Sequence, residues 1–147
     1  MTLYFEDLDV GDVWTGEEYP VTAGEITAFA EQYDPQWFHT DPDRAAKESP
    51  YEGLIASGWH TAAMTMRLLV DCFLSDAATM GAKGVDELRW RNPVQPGDRL
   101  SIRAQIEERE VDSESRGTVR LRVETSNGDD EVVFSMVGIV MFARQTD

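Results

Sequence analysis

The hydrophobic pattern of the chain changes its period once, and that change limits the folds available to it. From Trp59 to about Ser75, apolar residues fall on most sides of a helix, which predicts a helix buried well beyond one stripe. After Gly84, apolar and polar residues alternate, as is typical of β-strands with one buried face. The last segment, Val132 to Ala143, is apolar on both faces and predicts a strand buried on both sides. Together these segments predict an α+β fold.

Turn residues divide the second half of the chain into four predicted strands. Pro96-Gly97 predicts a type II turn, and Asn127-Gly128 is a strong hairpin signal. An additional edge strand is predicted from Val13 to Val21, and the stretch 81–84 after the long helix is predicted as a loop. Four strands that follow one another through turns indicate an antiparallel sheet.

A curved sheet around one long helix is the hot-dog arrangement. A single sheet covers a helix from one side only, so the apolar faces left over on the helix and on the last strand predict a partner subunit. We therefore expect a homodimer. The chain of 147 residues shows no internal repeat or linker, and it is predicted to be one domain spanning residues 1–147.

Composition argues against several classes of partner and site. A net charge of -15 argues against nucleic acid and anionic membranes, because both call for a basic surface. The single cysteine, Cys72, excludes an internal disulfide, and His39 and His60 have no recognised metal-ligand spacing. Residues 1–10 carry carboxylates and no basic-then-apolar pattern, so we expect no signal peptide. No stretch reaches the roughly 18 apolar residues of a membrane span, and a cytoplasmic protein is expected.

Residues 34–41, Asp-Pro-Gln-Trp-Phe-His-Thr-Asp, are the strongest candidate for chemistry. In one continuous helix, side chains five positions apart would point about 140° from each other. Pro35 disfavours the helical conformation of the residue before it, so a loop is predicted here, in which Asp34 and His39 can meet. A carboxylate and an imidazole within reach of one water are the minimal set for proton transfer.

Capping residues mark the helices that surround this stretch. Thr22 begins a helix, and Glu25 stands three residues on, where it completes a capping box. Asp41 followed by Pro42 begins a second, short helix. Ser57 is predicted as the N-cap of the long helix.

Residues 29–41, together with Gly-Leu-Ile-Ala-Ser-Gly at residues 53–58, resemble the MaoC-like dehydratases, which include the R-specific enoyl-CoA hydratases. The resemblance covers nearly the whole chain. It implies a hydro-lyase that adds water to, or removes it from, an acyl thioester carried on coenzyme A or acyl carrier protein, without a further cofactor. It also implies that Asp34 and His39 activate the water, and that a backbone amide at Gly58 stabilises the thioester oxyanion.

The chain departs from the family pattern near the implied pocket. Hydratases of the family commonly have asparagine and proline where this chain has Gln36 and Trp37, and the large Trp37 is predicted to narrow or reshape the pocket. Some members carry a hydroxyl two turns into the central helix, where this chain has Met66 beside Thr65. The predicted oxyanion and substrate-binding residues are Gly58, Ser57, Gln36, Trp37 and Trp59.

Each candidate also has a purely structural interpretation. Asp34 can simply end its helix, His39 can be a hydrogen-bonded loop residue, and Gly58 can be a helix-entry residue. His60 is predicted as a hydrogen-bonded core histidine, and Cys72 as a small hydrophobe.

Further alternatives remain for the pocket and for the function. Trp59, Met64 and Met66 suit either the core or the wall of an acyl pocket. Four arginines suit either coenzyme A phosphates or the solvated face of strands: Arg89, Arg91, Arg99 and Arg103. A hot-dog thioesterase, and a non-catalytic thioester-binding subunit in which Trp37 blocks the productive pose, are the alternative functions.

Overall fold

The structure is a computed structural model that describes residues 1–145. Its helices are α1 (Ala23–Tyr33), α2 (Trp37–Thr40), α3 (Pro42–Glu48) and α4 (Gly58–Cys72). Its strands are β1 (Val13–Thr15), β2 (Tyr19–Pro20), β3 (Thr79–Trp90), β4 (Arg99–Val111), β5 (Arg116–Ser126) and β6 (Val132–Ala143). Short 3-10 helices lie at Phe5–Asp7 and Leu74–Asp76.

The strands form one antiparallel sheet in the order β1-β4-β5-β6-β3, and β2 also pairs with β4. An antiparallel sheet packed against α4 confirms the predicted hot-dog architecture. The strands do not simply follow one another, because β3 pairs with β6 and not with β4. The connection through residues 91–98 therefore leads from one edge region of the sheet to the other.

One face of α4 joins the sheet in the main hydrophobic core. Met64, Leu68 and Leu69 of the helix are buried, and full burial of such a side chain typically contributes about 1.5–3 kcal/mol. Trp59 and Met66 lie on the other face and are 59% and 45% exposed. Helix α4 was predicted to be buried on most sides. Within a single chain, only the face that packs against the sheet is buried.

A pair of hydroxyl groups crosses this core. Thr65 Oγ1 of α4 and Thr125 Oγ1 of β5 lie 2.7 Å apart in a hydrogen bond, and both residues are fully buried. Thr65 therefore faces the sheet, beside the exposed Met66.

Two predicted boundaries are wrong, and a glycine lies at each of them. The predicted edge strand is divided into β1 and β2 around Gly16, where a Cβ would lie 2.8 Å from Cys72 Cβ. The predicted loop 81–84 belongs to β3, because Gly81, with φ +86°, sits among register shifts in a strand that continues pairing. The helix α4 ends at Cys72, earlier than predicted. Partial burial raises the pKa of the Cys72 thiol, which agrees with the predicted role of this residue as a small, unreactive hydrophobe.

The predictions for the last strand and its turns hold more closely. Residues 133–138 of β6 are all buried, although successive side chains point to opposite faces. At the predicted type II turn, Asp98 N donates to Gln95 O at 3.1 Å and Gly97 has φ +92°. The Asn127-Gly128 turn is longer than a two-residue hairpin, since Asp130 has φ +61° and its N–H donates to Asn127 O.

The predicted helix caps are present. Thr22 Oγ1 accepts from Glu25 N at 3.2 Å, and the Asp41 side chain accepts from Arg44 N at 3.1 Å. The second half of the capping box is different from the prediction, because the Glu25 carboxylate accepts from the Tyr19 hydroxyl at 2.5 Å.

His60 is a core residue without the hydrogen bond that was predicted for it. Its ring stacks on Phe29 with centroids 4.8 Å apart, and its buried Nδ1 has no partner within residues 1–145. Burial lowers the pKa of His60 because it disfavours the imidazolium, and the charge of Glu25 opposes this only in part.

Because the folded pKa of His60 lies below its ordinary value of 6.5, protonation favours the unfolded chain. We therefore expect protonation of His60 to lower the free energy of unfolding as the pH falls through 6.5 towards the folded pKa. Urea denaturation at pH 7.5, 6.5 and 5.5 should show that the wild type loses more unfolding free energy than His60→Phe, which cannot take up the proton. Parallel pH dependence of the two proteins would contradict this.

Candidate active site

The chain breaks its helical path between α1 and α2. Asp34 ends α1 with φ −151° and ψ 65°, and its N–H still donates to Ala30 O at 2.8 Å. After Pro35, Gln36 O accepts from His39 N and thereby begins α2. The predicted loop therefore contains one helical turn. The break occurs at the predicted place, and it is what lets Asp34 and His39 face each other.

Asp34 and His39 form a close pair beside a cavity. His39 Nε2 lies 3.3 Å from Asp34 Oδ2, and His39 is 5% exposed. His39 Nδ1 lies 2.7 Å from Ile55 O, and a carbonyl can only accept, so Nδ1 carries the hydrogen. In the neutral imidazole, Nε2 then presents a lone pair next to the carboxylate. Two acceptors side by side suit a shared water, which has two hydrogens to donate.

Donors around Asp34 favour its ionised form. The neighbouring Ser57 hydroxyl has the largest effect in lowering the pKa of Asp34, followed by Gln36, whose Nε2 donates to Oδ1 at 2.6 Å, and by the charge of His39, while burial opposes them. Ser57 Oγ forms no hydrogen bond within residues 1–145, so it acts on Asp34 as a neighbouring dipole. Asp34 is consequently a carboxylate at neutral pH.

The start of α4 supplies backbone donors to the same place. Ser57 occupies the N-cap position as predicted, and its carbonyl accepts from His60 N and Thr61 N, but its side chain makes no cap bond. The N–H groups of Gly58 and Trp59 have no acceptor within residues 1–145. Such free amides and the positive end of the helix dipole favour negative charge.

Trp90, at the end of β3, fixes this helix start and was missed in the sequence. Its indole Nε1 donates to Gly58 O at 2.7 Å, and its ring meets Trp59 edge-on at 4.9 Å. The ring lies so close to Gly58 that a Cβ there would be 2.5 Å from Trp90 Cε2. In the sequence, Trp90 is only one apolar position of an alternating strand, so nothing local indicates this contact.

A cavity of about 550 Å³ joins these groups. Five of the predicted site residues line it, and two do not. Gln36 lies behind Asp34 as its hydrogen-bond donor. Trp37, predicted to narrow the pocket, is outside the lining and packs under Arg44, whose Cζ is 4.4 Å from the ring centroid. The lining comprises Asp34, His39, Tyr51, Ile55, Ala56, Ser57, Gly58, Trp59, Thr61, Trp90, Arg91, Asn92, Pro93 and Val94.

Two features are absent from residues 1–145. No group of three or more His, Cys, Asp or Glu side chains is arranged to hold a metal ion in this part of the chain. Over the same residues, no helix combines the length and the hydropathy needed to cross a membrane.

The tight contact between Gly58 and Trp90 predicts that Gly58→Ala is destabilising. Overpacking of this kind costs about 1–3 kcal/mol, and we expect that loss in urea denaturation. Gly24→Ala is the matched control, because Gly24 also lies in the first turn of a helix and a Cβ there meets nothing within 4 Å. The control should be neutral or stabilising by up to about 1 kcal/mol. Equal effects at both positions would contradict the role of Trp90.

Comparison with known proteins identifies the family of the chain. The MaoC like domain matches residues 10–127. The MaoC-like dehydratase of Rhodospirillum rubrum is 39% identical, with a TM-score of 0.89 over 99% of both chains. The 3-hydroxyacyl-thioester dehydratase Z of Mycobacterium tuberculosis is 32% identical over 108 residues, which are 72% of this chain and 70% of that protein. An R-hydratase of Pseudomonas aeruginosa, 20% identical, shares the fold with a TM-score of 0.80 over 98% of this chain and 88% of its own. The chain belongs to the MaoC-like dehydratase family and has its hot-dog fold.

Proposed function

We propose that this protein is a hydro-lyase that interconverts an enoyl thioester and a 3-hydroxyacyl thioester, with the R-specific stereochemistry of the hydratases that it resembles. The observation that carries the proposal is the Asp34–His39 pair, 3.3 Å apart, in one cavity with the free amides of Gly58 and Trp59. The names of the related dehydratase Z and R-hydratase support the same reaction class. The substrate is proposed to be an acyl thioester of coenzyme A or acyl carrier protein, with no other cofactor.

In the hydration direction, the water oxygen forms a bond to C3 of the enoyl group. The π electrons between C2 and C3 move towards the thioester oxygen, which becomes an enolate. Asp34, kept ionised by its donors, accepts a proton of the water, and His39 orients the water through Nε2 and shares in the transfer. The proton held by Asp34 then passes to C2 as the enolate electrons return, which restores the carboxylate and leaves a product that has gained one hydrogen and one hydroxyl group. Dehydration is the same sequence reversed.

The start of α4 is proposed to stabilise the negative charge on the thioester oxygen. The Gly58 amide has no acceptor within residues 1–145, so its N–H is available to the thioester oxygen. Removal of one such donor typically costs about 3 kcal/mol in the transition state. Trp90 contributes by holding the Gly58 carbonyl, and with it the direction of this first helical turn.

We expect Asp34→Asn to lower the hydration rate of crotonyl-CoA by about 10²–10⁴-fold, the usual contribution of a positioned acid–base group. His39→Gln should cause a loss of similar size. The loss of enoyl absorbance measures the rate. Asp41→Asn is the matched control, because Asp41 caps α3 outside the cavity and asparagine caps a helix equally well. An unchanged rate in Asp34→Asn would reject the assignment of the base.

The same assay separates the two alternative functions. Release of free thiol without loss of the double bond would identify a thioesterase. Tight binding of the thioester without turnover would identify a binding subunit. The position of Trp37 outside the cavity lining removes the reason for the second alternative, since its side chain does not obstruct the site.

A homodimer is also proposed. β3 is an edge strand that pairs only with β6 within residues 1–145, and almost all of its residues are exposed. An apolar cavity of about 420 Å³ lies between this strand and α4, where Met66 and Val85 are 45% and 48% exposed. A second subunit at β3 would cover these side chains and the open edge of the sheet.

Val85→Arg should therefore shift the protein from dimer to monomer in sedimentation velocity. Val13→Arg is the control, because Val13 lies on β1, at the other edge of the sheet, and is 42% exposed. It should leave the dimer intact. A monomeric wild type, or equal behaviour of the two variants, would contradict this interface.

A further inference from the structure

The cavity has one positively charged side chain, Arg91, and the charge distribution of the protein makes that unusual. The chain carries a net charge of -15, and most of its 13 Lys and Arg residues lie within 4.0 Å of a carboxylate in the described part of the chain. The cations of residues 1–145 that form no such pair are Lys47, Arg89, Arg91 and Arg103. Of these, only Arg91 lines the cavity that holds Asp34 and His39.

The structure holds Arg91 in place without using its charge. Its backbone N–H donates to Val133 O at 2.8 Å, and its side-chain Nε donates to the buried Ser135 hydroxyl at 2.8 Å. The next residue, Asn92, is fixed as well, because its side-chain amide donates to Val132 O at 2.7 Å. Both terminal nitrogens of the Arg91 guanidinium are left without a protein acceptor in residues 1–145. An anchored guanidinium with two free terminal nitrogens suits the bidentate binding of an oxyanion.

The other arginines considered for this purpose do not share these properties. Arg99 forms an ion pair with Glu18 at 3.5 Å. Arg89 donates to the adjacent Leu88 carbonyl, and neither Arg89 nor Arg103 lines the cavity. The four arginines cannot be told apart by their alternating spacing in the sequence. In the structure, only Arg91 among them lines the cavity.

We propose that Arg91 binds a phosphate of the pantetheine carrier arm of the substrate, an inference that rests on the proposed acyl-thioester activity. Coenzyme A and acyl carrier protein both present the thioester on a phosphorylated pantetheine arm. An anionic substrate is repelled by the net charge of this protein, so its phosphate needs a local cation. Arg91 supplies that cation in the same cavity as the acid–base pair. Apart from Asp34 and His39, the other polar side chains of the lining, which include Tyr51, Thr61 and Asn92, carry no charge.

The test compares crotonyl-pantetheine with crotonyl-4′-phosphopantetheine, two substrates that differ by a single phosphate. Hydrogen bonds to charged groups contribute enough for a preference of about 10- to 100-fold in kcat/KM for the phosphorylated substrate. Arg91→Gln should lower kcat/KM for crotonyl-4′-phosphopantetheine by about that factor and so remove the preference, a larger loss than any that it causes with crotonyl-pantetheine. Arg91→Lys should keep part of it, and Arg89→Gln, the matched control at a neighbouring unpaired arginine, should keep all of it.

A purely structural role of Arg91 predicts a different result. In that case Arg91→Gln would lower kcat/KM for both substrates by the same factor, and this would overturn the proposal. An undiminished preference in Arg91→Gln would also overturn it. Assays with crotonyl-CoA and with crotonyl-acyl carrier protein compare the two carriers. Arg91→Gln should lower kcat/KM for both of these substrates, because both carry the phosphate. A loss confined to the carrier protein would reject phosphate recognition in favour of a protein contact.

Binding without turnover keeps the inference separate from the proposed reaction. Calorimetric titration with 4′-phosphopantetheine and with pantetheine needs no catalysis. If the wild type turns over none of the substrates but binds the phosphorylated thiol more tightly than Arg91→Gln does, the hydro-lyase fails and the phosphate site stands. If the wild type binds both thiols equally, the phosphate site fails whatever the activity.

Discussion

Two hydrogen bonds between α2 and the segment that enters α4 hold the candidate site together. Ile55 N donates to Phe38 O at 3.1 Å, and His39 Nδ1–H donates to Ile55 O at 2.7 Å. On the other side of this segment, Ala56 N donates to Val94 O at 2.8 Å. The buried segment 54–57 therefore lies between the acid–base pair and the connection that follows β3. This short stretch contacts the imidazole, the start of α4 and the cavity wall. These three parts of the site therefore have fixed positions relative to one another.

The electrostatics of the site depend on this arrangement as well. Asp34 is kept ionised chiefly by the neighbouring Ser57 hydroxyl and the Gln36 amide, with a smaller contribution from the charge of His39. The guanidinium of Arg91 is held elsewhere in the lining by its bond to Ser135. The cavity thus contains a carboxylate and a guanidinium that form no ion pair with each other. Each remains available, the first for a water and the second for an anion.

Local sequence signals correctly predicted those features of the fold that are determined by residues adjacent in the sequence. The break at Pro35 and the caps at Thr22 and Asp41 follow from the conformational preferences of a few adjacent residues, and the structure has all three. The two-sided burial of β6 follows from its composition alone. For the same reason, the approach of Asp34 to His39 could be predicted, since they lie only five positions apart in the sequence.

Contacts between distant segments could not be predicted in this way. Trp90 reaches Gly58 across 32 positions, and only the pairing of β3 with β6 brings them together. Trp37 is next to the catalytic candidates in sequence but turns away to pack under Arg44. The period-2 alternation of the sequence likewise does not distinguish Arg91 from Arg99. In the structure, Arg91 lines the cavity and Arg99 is paired with Glu18. Alternation defines a face of a strand, whereas register and partner are properties of the assembled sheet.

The hydroxyl pair of Thr65 and Thr125 has a consequence for the alignment of α4 along the sheet. Aliphatic side chains in a core tolerate sliding, because they are attracted by almost any apolar neighbour. A slide of α4 by one turn, about 5.4 Å, would strand two hydroxyls in an apolar interior at about 1–3 kcal/mol each. The pair thereby selects one axial setting of the helix. At that setting, the helix start lies in the same cavity as His39, seven residues and about two helical turns away from the bond that determines it.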